Sequence, residues 1–139
     1  MKTHMLKVFL LAALFGSGQV LAEVAVIVHP SNTATLGQDD IARIYTGKSK
    51  TFPGGQVVKP YNLAEGDAVR SEFNDKVVGR SDSAMKAYWS KLIFTGKGTP
   101  PEEVPDGATM LQKVASDPAA IGYVDGAQVN DTVRVVGRW

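Results

Sequence analysis

Glu23-Val24-Ala25-Val26-Ile27-Val28-His29 is the stretch that sets the fold class. Valines alternate with Ala25 and Ile27, and no polar side chain falls between Glu23 and His29. A strand with one wet face alternates apolar and polar residues, so this one is expected to be buried on both faces. Pro30-Ser31-Asn32 ends it. A strand of that kind needs cover on two sides, and the residues that follow read as helices.

Gln38 to Tyr45 places Ile41, Ile44 and Tyr45 at helical spacing, with Gly47 just past the end. Pro53-Gly54-Gly55 marks a turn, and Gln56 to Tyr61 is a strand candidate through Val57 and Val58, closing a first βαβ-like unit. A helix then starts with Asp67 as N-cap, carries Ala68, Val69, Glu72, Phe73 and Val77, and stops at Gly79. A second helix runs from about Asp82 to Phe94 behind Ser81, with Ala84, Met85, Tyr88, Trp89, Leu92 and Ile93 as a wide apolar face. It reads as the main core helix, and Trp89 and Ile121 are expected in the core. Gly96 to Pro105 is too rich in Gly and Pro for regular structure. Ala108 to Ala115 gives a short helix through Met110, Leu111 and Val114, and Ala120–Val124 and Thr132–Val136 are strand candidates. Strands alternating with helices predict an α/β domain with a mostly parallel sheet flanked by helices.

Upstream of the decisive strand, Lys2 and Lys7 precede an apolar run from Val8 to Phe15, followed by Val20-Leu21-Ala22. This pattern predicts a secretory signal peptide over residues 1–22, cleaved to leave Glu23 first, and a single domain over 23–139. The apolar run is much shorter than the roughly 20 residues a membrane span requires. Removing it takes away two lysines and no acid, so 15 basic residues become 13 against 14 acidic, a net charge of −1. That balance leaves no basic footprint for nucleic acid. With no cysteine in the chain, neither a disulfide framework nor lipid attachment at cysteine is expected.

Little points to catalysis. Gly47-Lys48-Ser49 and Gly96-Lys97-Gly98-Thr99 look like phosphate loops of nucleotide hydrolases, but that motif needs a glycine five positions before the Gly-Lys pair, and position 42 is Ala42. The second segment runs into Pro100-Pro101, so both read as solvated loops. Beyond the leader the only histidine is His29, which reads as a strand-end structural residue. No serine sits in a Gly-x-Ser-x-Gly elbow, and no metal-ligand set or cofactor motif is visible. Tyr88, Trp89 and Phe94 fit core packing by their helical spacing.

The informative stretch is Glu65-Gly66-Asp67-Ala68-Val69-Arg70. A helix start carries unpaired N–H groups and the positive end of the dipole, which suits an anion. Gly66 admits an anion to the backbone, and Arg70 offers a bidentate contact to an oxyanion. The competing reading has Asp67 cap the helix and Arg70 pair with a surface carboxylate.

Taken together, Val24 to Pro30, Ile44-Tyr45-Thr46-Gly47, Glu65 to Phe73 and Ile121-Gly122-Tyr123 resemble, in order and spacing, the phosphate-type periplasmic solute-binding proteins of ABC transporters. The Trp89 to Gly98 segment resembles short single-lobe relatives of these proteins. The resemblance implies one lobe of the type II periplasmic-binding-protein fold and a ligand-binding set of Gly66, Asp67, Ala68, Val69 and Arg70. It implies phosphate or a similar oxyanion as partner, a periplasmic location, and no enzymatic activity. The missing half of the cleft is expected from an inner-membrane transporter or a second lobe on another chain. Where the family pattern reads Ser-Gly-Thr, this chain reads Asp67-Ala68-Val69, so two hydroxyl donors are absent and a carboxylate is added. These departures support an alternative in which a periplasmic interaction module keeps the fold and has lost the ligand.

Overall fold

The computed structural model describes residues 23–139. The signal peptide expected over residues 1–22 and its expected cleavage site lie outside the described residues. Strand β1 (Val24–Val28) is at most 1% exposed at every position, as its uninterrupted apolar run requires. β4 (Ala120–Asp125) and β5 (Arg134–Arg138) flank it, both antiparallel. Beyond β4 lies β2 (Lys59–Leu63), parallel to β4, and then β3 (Glu102–Val104), parallel to β2, giving the order β3-β2-β4-β1-β5.

The sheet is therefore evenly mixed rather than mostly parallel. β1, α1 (Gln38–Tyr45) and β2 do not form a parallel βαβ unit, because β4 inserts between the two strands and runs against β1. Pairing across the sheet decides this, and no local pattern records it. The parallel half is built by crossovers from β2 to β3 and from β3 through α4 (Gly107–Ser116) to β4. Strand limits also move. β2 starts at Lys59 instead of Gln56, β5 runs 134–138 instead of 132–136, and the segment expected to be irregular contributes β3 at the sheet edge, directly after Pro100-Pro101. An edge position tolerates such prolines because one side of the strand needs no ladder partner.

Alternation along β4 fixes its two faces. Gly122 faces α4, where an added Cβ would overlap Met110 Sδ and come within 3.0 Å of Val114 Cγ2. Tyr123, its neighbour, stacks on Phe73 with centroids 3.9 Å apart, and Tyr45 of α1 meets both rings edge-on. The Tyr45 hydroxyl donates to Tyr61 O at 2.7 Å, binding α1 to the backbone of β2. Ile121 is fully buried, as expected.

Asp67 caps α2 (Ala68–Phe73), its Oδ1 accepting from Val69 N at 2.8 Å. The helix continues as a π-helical turn over Asn74–Val78 and stops at Gly79, whose φ of 80° suits glycine. α3 (Asp82–Phe94) begins at Ser81 as expected but is not the main core helix. Only Met85 and Trp89 are buried, while Ile93 and Phe94 are 54% and 92% exposed. The sheet faces are already covered by α1, α2 and α4, so α3 packs beside the π-helical turn at the periphery. Phe94 is thus not a core residue, and Tyr88 is half-buried with its hydroxyl donating to Thr46 O at 2.6 Å. Among the described residues, no helix is long and apolar enough to cross a membrane.

Candidate functional site

β2 ends at Leu63, and Ala64-Glu65-Gly66 carries the chain over the sheet's edge into α2. Gly66 has φ 88°, with open space where a side chain would stand. The turn therefore needs glycine for its backbone and leaves that backbone approachable. Beside it lies a cavity of about 270 Å³, walled by the end of β2, the start of α2, one side of α3 and β3. Ligands in open α/β sheets bind at such carboxyl ends of parallel strands.

Of the five residues expected at the site, Gly66 and Arg70 line this cavity. Asp67 spends its carboxylate on the helix cap, Val69 packs partly buried against the core, and Ala68 is exposed. Arg70 is only 20% exposed at its side chain, and its Nη1 donates to Leu63 O at 2.9 Å and to Glu103 Oε1 at 2.6 Å. The expected basic residue is thus present and already holds a carboxylate.

Sequence reasoning missed the rest of the lining. Asp82 receives the Ser71 hydroxyl and the Asn74 amide, the latter at 2.7 Å. Those two donors, with a smaller contribution from Arg70, hold the Asp82 carboxyl below its usual range against some desolvation. Asn62, a buried polar residue, accepts the Tyr123 hydroxyl, which itself accepts Leu63 N–H at 3.2 Å. Burial pushes the Tyr123 hydroxyl well above ordinary tyrosine, opposed by the Leu63 N–H bond and by Arg70. Lys86 reaches across to Glu65 at 3.1 Å with both side chains largely exposed. The lining carries three carboxylates, Glu65, Asp82 and Glu103, against the two cations Arg70 and Lys86. These groups come from β2, α2, the π-helical turn, α3 and β3, and no spacing in the sequence joins them.

Trp89 forms part of the wall, its Nε1 buried without an acceptor. His29 stands apart, its Nδ1 2.8 Å from the Ser31 hydroxyl and accepting Ser31 N–H at 3.1 Å, a strand-end turn as expected. Among the described residues no group of three or more His, Cys, Asp or Glu converges as a metal site.

No protein-family model matches the chain, and no curated protein matches its sequence. Solved structures do match. A protein of Clostridium perfringens described as a phosphate ABC transporter substrate-binding protein, crystallised with phosphate, superposes with TM-score 0.66 at 21% identity, over 83% of this chain and 44% of that one. An ABC-type phosphate transport receptor from Vibrio cholerae gives 0.64 at 18% identity, over 84% and 46%. PstS of Borrelia burgdorferi gives 0.64 at 12% identity, over 84% and 47%. The fold is that of phosphate ABC transporter substrate-binding proteins. This chain spans less than half the length of these neighbours.

Proposed function

We propose that the protein is a non-enzymatic, periplasmic lobe of the type II solute-binding kind that takes phosphate or a related protonated oxyanion. One observation carries the reading: the approachable Gly66 backbone, the Arg70 guanidinium and the Asp82 carboxylate line a single cavity at the carboxyl end of β2. Arg70 supplies the charged donor. Asp82 and Glu103 only accept hydrogen bonds, so a ligand oxygen beside them must bring its own proton. Monohydrogen phosphate has such a proton and sulfate does not. The likeness in fold to substrate-binding proteins of phosphate transporters supports the same ligand class. An inner-membrane ABC transporter, or a second lobe from another chain, would then cover the open mouth, where Ile93 is 54% exposed. Calorimetric titration of the purified protein tests this. Phosphate should bind and sulfate should not, and absence of phosphate binding at millimolar concentration would overturn it.

The Arg70–Glu103 pair favours a second reading. If the guanidinium never leaves Glu103, the lobe serves as an interaction module with its ligand lost. In that case phosphate stays unbound by the unaltered protein, and Glu103→Gln, which frees Arg70, allows it to bind.

A further inference from the structure

The two Gly-Lys segments that fail as nucleotide-binding loops meet in the fold. Gly47-Lys48 ends α1 and Gly96-Lys97 ends α3, each glycine left-handed with φ of 70° and 68°. In each, the lysine N–H turns back onto the last helical turn, Lys48 to Arg43 O and Lys97 to Leu92 O, both at 2.9 Å. This double cap projects both lysines past their helix ends. The loops close on one indole: a Cβ on Gly47 would lie 3.0 Å from Trp89 Cη2, and one on Gly98 would lie 3.2 Å from Trp89 Cζ3. Between them runs a groove of about 580 Å³ that shares Trp89 with the candidate site but otherwise uses different side chains, apart from the Pro101 ring.

Lys50 adds a third cation to the lining, and no carboxylate belongs to it. None of the three lysines forms an ion pair among the described residues. Two helix C-termini face the groove and contribute roughly half a negative charge each, which leaves about +2. A phosphate monoester carries about −1.5 to −2 at neutral pH and matches that charge, whereas a carboxylate does not. The remaining wall mixes the hydroxyl-bearing Thr46, Ser49 and Thr99 with apolar side chains, among them Trp89, Leu92, which is half-buried, and Val57, which is 68% exposed.

We propose that this groove is a second site, which holds the phosphate of an organic phosphomonoester between Lys48, Lys50 and Lys97 and lays its apolar body on Val57, Leu92 and Trp89. The ester is either a soluble metabolite or a lipid headgroup. The purified protein is titrated with 1-naphthyl phosphate, followed by calorimetry. Binding should weaken at least about tenfold in Lys48→Gln/Lys50→Gln/Lys97→Gln, because three charge-assisted donors are removed. Val57→Glu, a change at an exposed position, should weaken it as well and guards against misfolding of the triple variant. Sedimentation with phosphatidic acid vesicles but not phosphatidylcholine vesicles, lost in the same variants, assigns the lipid source, and naphthyl phosphate binding without sedimentation assigns the soluble one. Absence of lysine-dependent binding to either probe overturns the proposal.

Discussion

Arg70 and Glu103 stand 2.6 Å apart and join the start of α2 to the edge strand β3. Glu103 is 51% exposed at its side chain, so the pair is worth about 0 to 1 kcal/mol and a bound anion can displace the carboxylate. Glu103→Gln should therefore strengthen phosphate binding several-fold by freeing the guanidinium. Arg70→Ala should weaken it by about 1.5 to 3 kcal/mol, the range for a hydrogen bond to a charged group. Calorimetry on both variants checks the pair, and opposite signs are the expected outcome.

Asp82 draws α3 towards α2 through Ser71 and Asn74, and these bonds hold its carboxyl below the ordinary aspartate range. A depressed acid contributes stability above its unfolded pKa, and that contribution is lost as pH falls through the folded one. Wild type and Asp82→Asn should therefore differ in melting temperature at neutral pH and converge as pH falls through the depressed folded value, since protonation removes what the variant already lacks.

Tyr123 answers two buried partners at once, Asn62 Oδ1 and Leu63 N–H. Tyr123→Phe keeps the stacking on Phe73 but leaves both without a partner, at a cost of about 1 to 3 kcal/mol. The phenols of Tyr45 and Tyr123 titrate above ordinary tyrosine, chiefly because of burial. A raised pKa gives stability that is present below about pH 10 and lost as pH rises through the folded value. Chemical denaturation of wild type should accordingly show a steep loss of stability on the alkaline side, with a shallower one in the variant.

Gly122 leaves no room between β4 and α4. Gly122→Ala should destabilise by about 1 to 3 kcal/mol, because Met110 can turn aside while the stiff Val114 side chain cannot. Retained melting temperature in this variant would mean that α4 sits further from the sheet.

Trp89→Ala should cost about 3 kcal/mol, since the ring is 9% exposed but packs at the periphery of the fold. Trp89→Phe should cost far less, because it removes a buried N–H that has no acceptor. Urea titrations of the two variants separate packing from polarity.

Several elements were legible locally because local chemistry makes them. A five-residue unbroken apolar run rich in β-branched side chains and ended by a proline fits a strand covered on both sides, which Val24–Val28 is. Asp67 and Ser81 cap helices wherever a short acceptor precedes helical spacing, and both accept the expected N–H bonds. The glycines at 47 and 79 mark helix ends because their backbones turn left-handed. Gly66 and Arg70 were legible as cavity residues for the same reason, being set by the turn and first turn of a single helix.

What tertiary structure alone decided is which surfaces meet. A wide apolar stripe predicts that a helix packs, but not against what, and nothing within α3 tells that the sheet faces are taken and that it buries only Met85 and Trp89. Strand direction depends on insertion of β4 between β1 and β2, a pairing made across most of the chain. The state of Arg70 on α2 depends on Glu103, 33 residues away on β3, and the two Gly-Lys loops share one groove only because Trp89 stands between them. The sequence by itself determined the caps, the turns and the buried strand, since those arise within a few bonds of the backbone. Charge neutralisation and convergence of loops are contacts between residues that only the folded chain brings within reach.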